Sequence, residues 1–224
     1  MVRVGDNQIS TIYSNVFNLA GNTDDESDRL IEVRPGATVN IYKNTFITQN
    51  QPGIYISTGV TGSVHNNTMV STNDGNYGLY VDGSSLNIKN NNIVGFETSI
   101  INNNTTMNFN INNNNTWNTS SHYSGSGLPP AIGSMIDVNA NGTTSDIYSN
   151  ISQDPLFVYP DTNNYNLQAS STLIDAGDAN YTDPDGSVAD IGALYYHIYV
   201  TMAHPPPGPP NNTPTASPAH HRAS

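Results

Sequence analysis

A short motif that recurs at nearly constant spacing constrains the fold of this chain more than any other feature. The copies that begin at Ile41, Val64 and Ile88 read apolar, variable, polar, Asn, Thr or Asn, apolar, and a fourth copy, which begins at Ile111, has one extra residue. The steps between them are 23, 24 and 23 residues, and a second apolar segment lies between successive copies. Two strand-like segments in each period are typical of a stacked solenoid.

Apolar residues alternate with other residues inside each repeat, and this alternation indicates β-strands rather than helices. The segments are rich in β-branched and aromatic residues, and Asn and Gly interrupt them. The predicted fold is therefore all-β: a right-handed, single-stranded parallel β-helix with coils of about 23 residues. In this register one core column contains Ile54, Ile56, Leu79, Val81, Ile88 and Ile93.

Asparagine makes up 34 of the 224 residues, and Asn44, Asn67 and Asn91 occupy one repeat position. Asn tolerates the left-handed backbone conformation that a sharp corner between strands requires. Stacked from coil to coil, its side-chain amides can also form a hydrogen-bonded ladder. We therefore assign this column an architectural role.

Irregular spacing and composition divide the chain into three parts. The steps before Ile41 and after Ile111 are too long, which predicts loop insertions at 20–28 and 118–135. The segment that begins at residue 154 departs from the repeat and is long enough to cover the last coil. We therefore expect a solenoid that is covered at its C-terminal end and open at its N-terminal coil, through which the chain could self-associate. The three predicted parts are coils at 1–153, a closing segment at 154–200 and a Pro-rich linker or disordered tail at 201–224.

The closing segment carries a recognisable set of motifs. It contains Asp154-Pro155-Leu156-Phe157, then Leu173-Ile174-Asp175-Ala176-Gly177-Asp178, then Asp183-Pro184-Asp185-Gly186 and Asp190-Ile191-Gly192-Ala193. Residues 147–196 thereby resemble the C-terminal segment of secreted or surface right-handed parallel β-helix proteins of the pectin-lyase-like class. The resemblance implies an extracellular or cell-surface location. It leaves the activity open, because that class includes lyases, hydrolases, epimerases and adhesins.

The composition excludes several classes of partner. A formal charge of −12 from 18 acids and six bases disfavours nucleic acids and anionic membranes, which bind through clusters of Lys and Arg. No apolar run approaches the ~20 residues of a membrane span. The absence of cysteine excludes disulfides without fixing the compartment. The partners that remain are polysaccharides, cell-surface glycans and further copies of the chain.

Two outward columns of side chains could contact a sugar. Alignment of the repeats places Tyr42, His65 and Lys89 in one column, where His65 and Lys89 are the catalytic candidates for proton abstraction. Tyr55 and Tyr80 lie in a second column and could bind a sugar through their rings. The resemblance implies that a lyase also needs Ca²⁺ or an Arg to neutralise the substrate carboxylate, and the alignment places no Arg beside the first column.

Acidic residues of the closing segment have the spacing of a calcium-binding loop. The candidate ligands are Asp178, Asp183, Asp185 and Asp190, and an alternative explanation is that these residues form hydrogen-bonded turns. We predict that no cofactor is required and that Ca²⁺ is possible. The acidic run within 20–28 is a second place where a cation could bind.

The leading functional hypothesis is an extracellular or cell-surface β-helix module that is structural or adhesive and contacts carbohydrate, without an evident active site, and that can assemble end to end. The alternative is a polysaccharide lyase or another carbohydrate-active enzyme. Few Arg, Lys or paired acidic residues lie in the strand segments, and this scarcity favours the first hypothesis.

Overall fold

The computed structural model describes residues 1–19 and 28–197. The predicted insertion at 20–28, apart from Asp28, and the predicted tail at 201–224 lie outside the described residues. Within them the chain is all-β, with parallel strands stacked as a solenoid of about four coils of ~23 residues. The predicted fold class is confirmed.

Each regular coil contributes to three columns of parallel strands rather than to the two that the sequence predicted. The first column contains β1 (Val2–Val4), β4 (Ile31–Val33), β7 (Ile54–Ile56), the C-terminal halves of β9 (Thr68–Asp82) and β11 (Asn92–Asn103), and β14 (Ser121–Ser124). The second contains β2 (Ile9–Tyr13), β5 (Thr38–Tyr42), β8 (Thr61–His65), β10 (Asn87–Lys89) and β12 (Ile111–Asn112). The third contains β3 (Val16–Leu19), β6 (Thr45–Thr48), the N-terminal halves of β9 and β11, and β13 (Asn115–Trp117).

The core is a narrow apolar column enclosed by the three strand columns. All six residues that the sequence placed in it are fully buried and belong to one cluster. Phe46 and Phe96 are the largest fully buried side chains, and the ring of Phe46 stacks on that of Phe17 with centroids 4.9 Å apart. Period-two alternation therefore predicted the inward register correctly.

The corner between the second and third columns is built from two consecutive positions. The first has a positive φ in each coil, for example 55° at Lys43 and 49° at Asn66. The second is the Asn column, which is a continuous ladder. In each coil the backbone N–H donates to the amide oxygen of the next Asn at 3.0–3.1 Å. The six members of the ladder are Asn15, Asn44, Asn67, Asn91, Asn114 and Asn150.

The ladder runs in one direction and ends on a buried carboxylate. Every member donates toward the C-terminal end of the solenoid, so Asn150 needs an acceptor that no further coil provides. Asp146 supplies it and accepts the backbone N–H of Asn150 at 2.9 Å and its side-chain amide at 3.1 Å. Asp146 also accepts the N–H groups of Gly133 and Tyr148. A carboxylate thus closes the C-terminal end of the ladder.

The structure corrects the prediction of a loop over 118–135. Residues 121–124 form β14, which extends the first strand column, and the N–H of Gly127 donates to the carbonyl of Asn102. Leu128 and Ile132 then pack against the end of the core. The surplus residues thus complete a coil and cover its end. They continue into an antiparallel pair, β15 (Asp137–Val138) and β16 (Thr144–Ser145).

The described part of the closing segment, residues 154–197, lies along the side of the solenoid rather than over its last coil. It contains an antiparallel pair, β17 (Phe157–Tyr159) and β18 (Asn164–Leu167), joined through a 3₁₀ turn at Pro160–Thr162. Tyr165 packs against Ile47 and Val70 on the outer side of the third column. The predicted cover of the last coil is instead made by residues before 154.

The closing motifs have a structural explanation in these contacts. Leu173 and Ile191 are fully buried in a small cluster with Ile151. The N–H of Gly192 donates to the carbonyl of Asn90 at 2.9 Å, and φ at Gly192 is +124°, which disfavours any side chain. The motif positions therefore dock the segment onto the coils.

No helix among the described residues has the length and apolar character needed to cross a lipid bilayer.

Candidate functional site

The predicted outward column of Tyr42, His65 and Lys89 exists, because the strand register pairs these residues in order. The rings of Tyr13, Tyr42 and His65 stack with centroids 5.2 and 5.1 Å apart and nearly parallel planes. Both faces of the Tyr42 ring are therefore covered by neighbouring rings, whereas Tyr13 and His65 each have one face against Tyr42. Tyr42 presents its edge rather than a face to a ligand.

His65 is held by its neighbours. One ring nitrogen lies 3.0 Å from the amide oxygen of Asn66 and the other lies 3.2 Å from that of Asn40. Burial lowers the pKa of His65 even though the contact with Asn66 favours its charged form. The imidazole is thus neutral at neutral pH, and because a neutral ring carries a single N–H it donates to one of these two amide oxygens.

Lys89 binds the closing segment. Its ammonium group lies 3.0 Å from a carboxylate oxygen of Asp178 and 3.0 Å from the hydroxyl of Tyr181, and it also packs over the Tyr181 ring. Burial opposes the charged form of Lys89, but these two hydrogen bonds outweigh it and raise its pKa. Burial also opposes ionisation of the ion-pair partner Asp178, but hydrogen bonds from Asn180 and Lys89 outweigh it and lower the pKa of Asp178. The base predicted for catalysis therefore anchors the closing segment.

We expect Lys89→Ala to destabilise the closing segment. Both side chains of the ion pair are mostly buried, so removal of Lys89 leaves the Asp178 carboxylate without its cation. The expected loss of stabilising free energy is about 1–3 kcal/mol, which is less than the loss expected for a fully buried ion pair. Hydrogen exchange should show faster opening of residues 173–193 in Lys89→Ala, and Asn87→Ala, at an exposed position of the same strand, should leave it unchanged. Unchanged exchange in Lys89→Ala would contradict this role.

The second predicted column, Tyr55 and Tyr80, is also present, and its rings stack at 5.3 Å. The guanidinium of Arg29 lies 4.3 Å from the centre of the Tyr55 ring. The two faces of Tyr55 are thus engaged by Arg29 and Tyr80. A sugar could meet the ring edges here, but it could not stack on a free Tyr55 face.

The same wall contains an ion-pair network that the sequence did not predict. Glu32 lies one coil before Tyr55 and receives hydrogen bonds from Arg3 at 2.6 Å and Arg34 at 3.2 Å. Burial opposes ionisation of Glu32, but both arginines lower its pKa overall. Three of the four arginines of the chain therefore lie on this wall, away from His65 and Lys89.

The four predicted calcium ligands have separate protein partners. Asp178 pairs with Lys89, whereas Asp185 accepts hydrogen bonds from Ser187. Asp183 accepts the N–H of Asp190, whose own carboxylate accepts the N–H groups of Asp175 and Tyr196. In residues 1–19 and 28–197 no three or more His, Asp or Glu side chains form a group suited to a metal ion. A calcium site stays a prediction.

Two of these acids nevertheless line a cleft between the solenoid corner and the closing segment. The cleft has a volume of about 620 Å³. Its solenoid wall includes Lys43 and Asn66, both at corner positions with positive φ. The closing segment lines the other side of the cleft. Its residues there include the apolar Leu167 and Leu194, the acids Asp183 and Asp190, and the aromatic Tyr195 and Tyr196.

The carboxyl groups of the cleft lie in a partly desolvated environment. Burial raises the pKa of Asp183, against the opposing effects of the Asp190 N–H and of Lys43. Burial also raises the pKa of Asp190 to about 6, although two backbone N–H groups favour its ionised form. A concave site that combines perturbed carboxyl groups, a lysine and aromatic side chains has the character of a ligand-binding site. We call it the corner cleft.

Sequence reasoning missed most of the corner cleft. Lys43 was visible as the lysine at a position where other coils have Ser or Asn, which was a signal that could have been used. The aromatic residues at 195 and 196 gave none, because their approach to Lys43 depends on how the closing segment folds back. The cleft does not include His65, Lys89 or the three predicted sugar-binding tyrosines.

Comparisons of the chain with protein-family models, with curated proteins and with solved structures gave no match. The resemblance of residues 147–196 to pectin-lyase-like β-helix proteins therefore stays a prediction.

Proposed function

We propose that this chain is an extracellular or cell-surface β-solenoid module that binds carbohydrate in the corner cleft. The observation that carries the proposal is the composition of that cleft, where Tyr195 and Tyr196 lie near Asp183, Lys43 and Asn66. Aromatic rings contact the apolar faces of sugars, and carboxylates, amides and ammonium groups bind their hydroxyl and carboxylate groups. A cleft of about 620 Å³ has the size of a small-ligand site and suits one or two sugar units.

The remaining surface supports a structural rather than a catalytic role for the solenoid walls. His65 and Lys89 are engaged by neighbours, and the stacked rings stabilise adjacent coils. The net charge of −12 favours neutral glycans over acidic ones, except where Lys43 pairs with a uronate. Structural solenoid walls together with a glycan-binding corner cleft support adhesion to a glycan-bearing surface as the function.

Binding to a glycan array, followed by calorimetry on the best glycan, tests this proposal. We expect Lys43→Asn and Tyr196→Ala to weaken binding about tenfold or more, or about 1.4 kcal/mol. Lys43→Asn suits the backbone, because Asn occupies the corresponding corner position with positive φ at Asn66 and Asn90. The matched control is Tyr159→Ala, which removes an exposed tyrosine outside the cleft. No binding to any glycan, or equal weakening by the control, would refute the proposal.

A second candidate function is a carbohydrate-active enzyme, and it rests on Asp183 and Asp190. Both carboxyl groups have raised pKa values and lie in the same cleft, as a general acid for glycoside cleavage requires. For lyase activity Lys43 is the base that the cleft offers. Incubation with neutral and uronate polysaccharides distinguishes the two chemistries, because hydrolysis releases reducing ends whereas elimination also forms an unsaturated product that absorbs ultraviolet light.

A further inference from the structure

A second cleft lies on the outer side of the third strand column, beside the hairpin of β17 and β18, and its volume is about 490 Å³. The coils contribute Val70, Val94 and Trp117, which are neighbours in the register of the column. The closing segment contributes Phe157 and Asp161, among others. Among the described residues none lines both this cleft and the corner cleft, so the two sites are separate. We call the second site the hairpin cleft.

Aromatic side chains form part of the wall of the hairpin cleft. Trp117, the single tryptophan of the chain, is partly exposed at the end of β13. Within residues 1–19 and 28–197 no other ring and no cation packs against the indole, in contrast to the rings of Tyr42 and Tyr55. Phe157 lines the cleft from the closing segment and meets the ring of Tyr165 edge to face, with centroids 5.0 Å apart. The cleft therefore offers a ligand an indole ring that has no stacking partner in the described part of the protein.

Two carboxyl groups line the same cleft without a cation to pair with. Asp154 and Asp161 are both exposed, and neither forms an ion pair with any described residue. One oxygen of Asp154 accepts the N–H of Leu156 at 2.9 Å. Burial and the charge of Asp161 together raise the pKa of Tyr165, so this carboxylate acts close to the aromatic wall. No Lys, Arg or His of the described residues lines the hairpin cleft, whereas Lys43 lines the corner cleft.

These properties exclude several classes of ligand. Phosphates, sulfates and uronates would meet two negative charges and no base. A calcium ion takes roughly six to eight oxygen ligands, and the aromatic and apolar side chains of the wall supply none. An organic cation suits both parts of the cleft, because its substituents pack against aromatic rings while its charge is attracted by ring faces and by carboxylates.

We propose that the hairpin cleft binds a small organic cation that carries an alkylated ammonium group, such as a trimethylammonium group. Trp117 contacts the apolar substituents of that group, and Asp154 and Asp161 balance its charge. The net charge of −12 raises the concentration of all cations near the surface, and the aromatic wall then selects those with apolar substituents. The proposal does not depend on glycan binding in the corner cleft.

Tryptophan fluorescence of the full chain tests the proposal without a label, because Trp117 is the only tryptophan. Choline is the probe, and the control ligand is its uncharged isostere, in which a tert-butyl group replaces the trimethylammonium group. We expect a saturable change of emission with choline and about fivefold weaker binding of the isostere, which lacks the cation–π attraction. Choline binding should also weaken as the salt concentration rises, since both carboxylates are exposed.

The double variant Asp154→Asn/Asp161→Asn tests the role of the charges, and it should bind choline about fivefold more weakly or less. An amide oxygen at position 154 can still accept the Leu156 N–H, so the melting temperature should not change. Trp117→Leu, measured by calorimetry, should also bind choline about fivefold more weakly. The matched control is Asp137→Asn, which removes an exposed carboxylate that accepts a neighbouring N–H outside the cleft, and it should bind choline as the wild type does.

Three outcomes would overturn the proposal: no saturable response to choline, equally tight binding of the uncharged isostere, or equal weakening by Asp137→Asn. A neutral sugar that changes Trp117 emission where choline does not would assign the cleft to carbohydrate and would also refute the proposal. If Trp117→Leu fails to fold, the double variant remains decisive because both of its positions are exposed. Lys43→Asn should leave choline binding unchanged, which separates this site from the corner cleft.

Discussion

A Val81→Asp variant is expected to lose the cooperative fold of the solenoid. Val81 is fully buried, and its strand pairs with β7 on one side and β11 on the other. A carboxyl group there has apolar neighbours, and burying it costs several kcal/mol whether it stays ionised or takes up a proton. That cost is comparable with the total stability of a domain, about 5–15 kcal/mol.

Circular dichroism, thermal melting and size exclusion measure this effect. The matched control is Asn73→Asp, which adds the same charge to the same strand at an exposed position and should melt like the wild type. A soluble Val81→Asp protein that melts cooperatively at the wild-type midpoint would show that the core register is wrong.

The second large effect is expected from Asn91→Ala in the middle of the ladder. The Asn91 amide oxygen accepts two hydrogen bonds from Asn67, and its amide nitrogen donates to Val64 and Asn114. Alanine keeps the backbone but leaves buried groups on both neighbouring coils without these partners. The Asn67 side-chain amide and the Asn114 amide oxygen keep other partners. The two groups that lose their bond are the Asn67 backbone N–H and the Val64 carbonyl, and at about 1–3 kcal/mol for each the free energy of unfolding should fall by about 2–6 kcal/mol.

Denaturant unfolding measures this loss, and Asn87→Ala serves as the control because Asn87 is an exposed asparagine on the neighbouring strand β10. The control should change stability by less than about 0.5 kcal/mol. If the two variants were equally stable, the ladder would be a geometric coincidence rather than a source of stability.

Local regularity explains why the coils could be predicted from the sequence. The alternation around Ile54 and Leu79 reports directly on which side chains face inward, and the Asn spacing reports on the corner. The third strand column was missed because its residues, such as Thr45 to Thr48, follow the Asn corner directly and appeared as part of one motif. Repetition thus gave the period and the register, but not every bend within a coil.

The corner cleft and the role of Lys89 could not be predicted in the same way. The Lys89–Asp178 pair joins residues 89 positions apart, and the hydrogen bond from Ala193 to Thr68 spans 125 positions. No repeat relates the closing segment to the coils, so its position depends on packing of Tyr165, Leu194 and Ile191 against surfaces that a linear pattern does not define. The sequence predicted the positions of side chains that the repeat places. It did not predict positions that depend on how the closing segment packs against the coils.

The Asn ladder has a consequence for how such a chain can change. Its members are separated by 29, 23, 24, 23 and 36 residues, yet the hydrogen bond between successive members is the same each time. The position of each coil is therefore set by the hydrogen bonds of the Asn ladder and not by the number of residues between its members. Segments of different length can be added between two members without shifting the strands on either side, so the exterior can diversify while the interior sequence is retained.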